Sequence, residues 1–120
     1  MTKILVVDDE KELAQYLADQ LAESGYEAET ALDGVEAVLK AIDGNLDAII
    51  MDIRMPKLDG INAIKIIRKI TPDLPVLAFT GQAGQSDIVE SVRQGAYTCL
   101  LKPIKFSELL KTLELMGASR

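Results

Sequence analysis

The sequence contains no histidine. That absence excludes Ser-His-Asp and Cys-His nucleophilic catalysis, and every metal site built on imidazole. Its one cysteine, Cys99, cannot close an internal disulfide, so nothing asks for an oxidising compartment. No apolar run approaches the roughly 20 residues that span a bilayer, and the short apolar segment after Lys3 is too brief for a signal-peptide core. Positive charge is scarce: 13 Lys and Arg stand against 19 Asp and Glu, a net charge of −6, which argues against nucleic acid or an anionic membrane as a direct partner. Internal repeats, low-complexity segments and linkers are missing as well. Together these absences suggest a cytoplasmic protein. What remains is 120 residues, 48% of them hydrophobic, the size and composition of one domain over residues 1–120 with a single core.

The stretch that organises the chain is Ala48-Ile49-Ile50-Met51-Asp52-Ile53-Arg54-Met55-Pro56. A short apolar run between Gly44-Asn45 and Pro56 reads as a strand buried on both faces. It ends on a carboxylate, Asp52. Other apolar runs end in the same way. Lys3 to Val7 is closed by Asp8-Asp9-Glu10, Val76 to Phe79 by Thr80-Gly81, and Tyr97 to Leu101 by Lys102-Pro103. Tyr26 to Ala31 alternates and reads as a strand with one more exposed face.

Helical periodicity fills the gaps. Leu13, Leu17 and Leu21 recur up to Gly25; Val35, Val38, Leu39 and Ile42 follow Asp33-Gly34; Ile61, Ile64 and Ile67 follow Gly60. Thr71 to Pro75 is a turn and Gln82 to Gln85 a small-residue loop. Ser86-Asp87 is expected to cap a helix running through Val92 to a stop at Gly95. Phe106 to Met116 is the last helix, and residues 117–120 form a short tail. Five strands alternating with five helices predict an α/β fold: right-handed βαβ units around a parallel sheet covered on both faces.

In a parallel sheet all strand ends face one rim, where open α/β sheets place their chemistry. Asp8, Asp9, Asp52, Thr80 and Lys102 should therefore meet, although they span most of the chain. Three clustered carboxylates repel, each raising the others' pKa, and ask for a cation. Oxygen ligands alone favour a hard ion, Mg²⁺, with Mn²⁺ as an alternative. An acid nucleophile, a divalent cation, an ammonium and a hydroxyl are the parts that phosphoryl transfer needs. Each part alone has an ordinary reading: Asp8-Asp9-Glu10 as acids at a helix start, Thr80 as a strand-end residue, Lys102 as a solvated lysine. Their coincidence at matching strand ends is what singles them out.

The chain resembles the receiver domain of two-component response regulators over essentially residues 2–117. The resemblance rests on Val6-Val7-Asp8-Asp9-Glu10, Met51-Asp52-Ile53-Arg54-Met55-Pro56, Asp59-Gly60, Thr80-Gly81, Gly95-Ala96 and Leu101-Lys102-Pro103. It implies a flavodoxin-like (βα)5 fold, doubly wound, with strand order 2-1-3-4-5. It implies that Asp52 is the phosphorylated aspartate. Asp9 and Asp52 would be direct magnesium ligands with the backbone carbonyl of Arg54, and Asp8 would act largely through water. Thr80 would be the hydroxyl that moves to the phosphoryl group, Lys102 the lysine that pairs with it, and Lys102-Pro103 a cis-peptide position. Such a domain is a phosphoacceptor, not a conventional enzyme. Its partners would be a sensor histidine kinase or phosphotransfer protein as phosphohistidine donor, and an output protein or domain controlled by the surface of the fourth helix, fifth strand and fifth helix. It would be a monomer or a phosphorylation-dependent dimer. The donor histidine cannot lie in this chain.

One position departs from the family. Three residues before the lysine, where the family usually has Tyr or Phe as a rotamer switch, stands Cys99. Tyr97, two residues earlier and expected on the same strand face, is a candidate substitute, as is the Gln82 to Gln85 loop with Gly81 and Gly84. Cys99 itself reads as a small packing residue, since nothing cationic flanks it to make it reactive. Three other readings compete. An FMN carrier of this fold would want a phosphate loop where Asp8-Asp9-Glu10 stands. A haloacid-dehalogenase-type phosphatase would want a second acid where Arg54 stands. A non-phosphorylated pseudo-receiver, acting only as an interaction module, would not need the full set of acids, hydroxyl and lysine.

Overall fold

The computed structural model describes residues 1–55, 57–81 and 85–120, the side chain of Gln85 excepted. The expectations placed on Pro56, Gln82, Ala83 and Gly84 lie outside the described residues. Five strands alternate with five helices: β1 (Lys3–Val7), α1 (Lys11–Glu23), β2 (Glu27–Ala31), α2 (Gly34–Asp43), β3 (Ala48–Asp52), α3 (Gly60–Ile70), β4 (Val76–Thr80), α4 (Gln85–Arg93), β5 (Cys99–Leu101) and α5 (Phe106–Leu115). The strands form one parallel sheet in the order β2-β1-β3-β4-β5. This is the flavodoxin-like arrangement, with its reversal of strand order between β1 and β3.

Two apolar layers cover the sheet, and strand parity sorts them. Leu5, Val7, Ile49, Met51, Val76 and Ala78 pack under α2 and α3. Ile4, Val6, Ile50, Leu77 and Phe79 pack under α1 and α5. Every residue of β3 and β4 is buried, as a central strand flanked on both faces requires. The starts of α2 and α3 are chemically marked: Asp33 Oδ1 accepts from Glu36 N at 2.8 Å, and Asp59 Oδ1 from Asn62 N at 2.9 Å.

Several boundaries differ from the sequence reading. Tyr26 precedes β2; it is buried, and its hydroxyl donates to Ala118 O at 3.0 Å. Residues 117–120 are not a loose tail. Gly117, at φ +89°, turns the chain so that Ala118 is buried, while Ser119 O accepts from Thr2 and Arg120 donates to Ser24 O. Ser86 and Asp87 lie inside the first turn of α4 rather than capping it. β5 starts at Cys99, so Tyr97 stands before the strand, half exposed. Its N–H still donates to Val76 O at 2.8 Å.

Candidate functional site: an acidic cleft at the strand ends

Asp8 follows β1 directly, Asp52 and Thr80 are the last residues of β3 and β4, and Lys102 follows β5. The parallel register carries these ends to one rim. Asp52 lies opposite Phe79, Phe79 opposite Leu100, and Thr80 opposite Leu101. Oxygens of Asp8, Asp9 and Asp52 come within 4.8 Å of one another. Asp8 and Asp52 are buried and Asp9 is exposed. The cleft that Asp9 and Asp52 line with Glu10, Arg54, Gly81 and Lys102 measures about 380 Å³.

Lys102 closes the cluster from the β5 side. Its Nζ donates to Asp8 Oδ2 at 3.1 Å and to Asp52 Oδ2 at 3.1 Å, and lies 3.4 Å from Glu10 Oε1. Beneath it the Phe79 ring, 5.2 Å from Nζ to centroid, offers its electron-rich face. The Lys102–Pro103 bond is cis. Backbone donors hold the remaining carboxylate oxygens: Glu10 N to Asp8 Oδ1 at 2.9 Å and Arg54 N to Asp52 Oδ1 at 2.9 Å. Gly60 makes room for this turn. A Cβ there would stand 2.4 Å from Asp52 O and 2.4 Å from Ile53 Cα.

The electrostatics differ in emphasis from the sequence reading. Burial is the main cause that raises the pKa of Asp8 and of Asp52; hydrogen bonds from backbone N–H groups and from Lys102 oppose it, and repulsion, by Asp52 on Asp8 and by Asp9 on Asp52, adds less. For Lys102, burial works against its charge, but the hydrogen bonds to Asp8 and Asp52 outweigh it and push the ammonium up to about 12. The ammonium therefore stays charged across the physiological range. The oxygen-only donors, two of them desolvated, fit a hard divalent cation better than any soft one.

Thr80 is fully buried, and its carbonyl accepts from Lys102 N at 2.9 Å. Cys99 pairs in register with Ala78 and packs half-buried against the α2–α3 layer. Burial pushes its thiol up, the direction of an unreactive group. Tyr97 is half exposed, just before β5. Two participants escaped the sequence reading. Glu10 was visible in Asp8-Asp9-Glu10 but not singled out. Asp87 was read only as a helix cap; its Oδ2 pairs with the Arg54 guanidinium, joining the loop after β3 to α4.

A doubly wound sheet with a lysine-clamped acidic cleft at its switch point defines a class of phosphoacceptor domains, and comparison with known proteins agrees. The sequence matches the response regulator receiver domain family over residues 4–114, and the chain belongs to that family. It is 37% identical over 108 residues to the transcriptional regulatory protein PrrA of Mycobacterium tuberculosis, covering 90% of this chain and 46% of that protein. It is 37% identical over 114 residues to a CpxR homolog of Haemophilus influenzae, covering 95% and 49%. The chain thus spans about half the length of the curated relatives it matches. Among solved structures, the Vibrio cholerae chemotaxis protein CheY4 superposes with a TM-score of 0.89 at 36% identity, over 97% of this chain and 98% of that one. The Thermotoga maritima response regulator TrrA, solved with Mg²⁺ and BeF, superposes at 0.87 with 36% identity, over 97% and 99%. Among the described residues no helix is long and apolar enough to cross a membrane.

Proposed function

We propose that residues 1–120 act as a single phosphoacceptor switch, with Asp52 the residue that takes the phosphoryl group. The observation that carries this reading is the Lys102 ammonium 3.1 Å from Asp52 Oδ2 at the strand-end rim, beside the exposed Asp9. The donor would be a phosphohistidine on a sensor kinase or phosphotransfer protein. An Asp52 oxygen attacks phosphorus in line; the P–N bond breaks, its electron pair returns to the imidazole, and Asp52 becomes an acyl phosphate. Lys102 balances charge on the transferred group. Thr80, at the end of β4, would turn its hydroxyl to a phosphoryl oxygen. Asp8, Asp9 and Asp52, with the Arg54 carbonyl, would hold Mg²⁺, which when bound supplies charge neutralisation for carboxylate and phosphoryl oxygens together.

The output surface would be formed by α4, β5 and α5. Val89, Val92, Tyr97 and Leu101 are exposed there, an apolar group suited to a partner protein or domain. Cys99 and Tyr97 would mark the switch region between this surface and the cleft. Incubation with a small-molecule acyl-phosphate donor, with and without Mg²⁺, tests the reading by intact mass. One phosphoryl group should be gained only with Mg²⁺ and not by Asp52→Asn. A wild-type protein that gains none would instead be a pseudo-receiver.

A further inference from the structure

Arg54 is tied on two sides. Its backbone N–H donates to Asp52 Oδ1 at 2.9 Å, and its guanidinium pairs with Asp87 in the first turn of α4. The side chain forms a wall between two clefts: the acidic one that holds Asp9, Asp52 and Lys102, and a neighbouring one of about 420 Å³ lined by Ile53, Met55, Asn62 and Asp87.

We propose that Arg54 is an exchangeable tie between the phosphoacceptor loop and α4. It is held by Asp87 while Asp52 is a bare carboxylate, and passes to the phosphoryl oxygens when Asp52 is modified, freeing the first turn of α4. The proposal deepens the phosphoacceptor reading and rests on it. Three observations support it. The pair is solvent-accessible, with side-chain exposures of 59% for Arg54 and 30% for Asp87, so it is weak enough to exchange. A phosphoryl group brings about two negative charges and three acceptor oxygens, and outcompetes one carboxylate for a planar guanidinium. α4 is lightly anchored: Ser91 is its only fully buried described residue, and Asp87–Arg54 is the one salt bridge, among the described residues, that joins α4 to another element. Losing that tie therefore changes α4 more than it would a helix set in the core. This route does not need an aromatic side chain at position 99.

Binding of beryllofluoride with Mg²⁺, an acyl-phosphate mimic, tests the proposal in a four-protein cycle of wild type, Asp87→Asn, Arg54→Met and the double variant. Asp87→Asn removes the competing carboxylate, so the mimic should bind roughly two- to fivefold tighter, the effect of one exposed ion pair. That gain should vanish in the Arg54→Met background. Amide signals of residues 86–90 should shift on binding in wild type, and should already lie toward the shifted positions in free Asp87→Asn. An unchanged affinity in Asp87→Asn, or an equal gain with and without Arg54, would overturn the tie while leaving the phosphoacceptor reading intact. Failure of wild type to bind the mimic at all would overturn both.

Discussion

Lys102 and Asp52 are 50 residues apart in the chain and 3.1 Å apart in the fold, Nζ to Oδ2. The same ammonium reaches Asp8 Oδ2 at 3.1 Å, so one cation serves two buried carboxylates contributed by β1 and β3. Together with the backbone N–H of Glu10 and of Arg54, it offsets the cost of burying both acids in their charged form.

The first prediction follows from that geometry. Lys102→Met should destabilise the metal-free domain by about 3 kcal/mol at neutral pH, since two buried carboxylates lose their counter-charge. Asp8 and Asp52 already titrate above their ordinary range, and the substitution raises them further. A carboxyl whose folded pKa is raised costs stability above that pKa, and the cost disappears once both states are protonated. The deficit should therefore fade as pH falls toward about 4, the unfolded-state value. Denaturant midpoints of both proteins between neutral and acid pH check this. A deficit that grows on acidification would contradict it.

Asp9 is the exposed member of the acid cluster. Asp9→Asn should weaken Mg²⁺ binding roughly tenfold or more, as loss of a ligand or its support does. Folding should be unharmed, because removing one of three neighbouring like charges tends to stabilise. Calorimetric titration with Mg²⁺, read beside a thermal melt, separates the two effects.

Gly60 has no space for a side chain against the Asp52 carbonyl. Gly60→Ala should cost about 1–3 kcal/mol by overpacking, and should slow phosphorylation by displacing the end of β3. Stability measured in urea and the rate of phosphoryl uptake are expected to fall together. A stable variant with normal uptake would show that the loop can absorb the methyl.

Arg54 lies two residues after Asp52, the proposed phosphoacceptor, and lines its cleft. A long guanidinium there shields the phosphorus from water or pairs with the phosphoryl oxygens. Arg54→Asn should therefore lose its acyl phosphate several-fold faster than wild type. Decay of the phosphorylated mass after donor removal gives both rates.

Much of this was legible in the sequence, for definite reasons. Buried parallel strands are apolar runs, so a carboxylate, hydroxyl or ammonium at the end of such a run stands out; Asp8, Asp52, Thr80 and Lys102 were located in this way. Alternation with helical periods then implied the common rim. The start of β5 was not legible. Tyr97 and Thr98 continue the hydrogen bonding to β4, yet β5 starts only at Cys99, because alternation along an edge strand does not say where the pleat ends. The anchored C-terminal residues were missed because the buried Tyr26 hydroxyl's need for an acceptor is met 92 residues away, at Ala118. Asp87 was invisible as the partner of Arg54, since that pair depends on how closely the loop after β3 approaches α4.

Asp52 is proposed as the group that carries phosphate. Treating the protein with an acyl-phosphate donor and Mg²⁺, reducing with borohydride and sequencing the peptides by tandem mass spectrometry tests it most directly, because borohydride converts an aspartyl phosphate to homoserine at its own position. Homoserine is expected at residue 52 alone, abolished by chelator and by Asp52→Asn. Homoserine at Asp8 or Asp9 with Asp52 untouched, or full labelling of Asp52 in excess chelator, would contradict it.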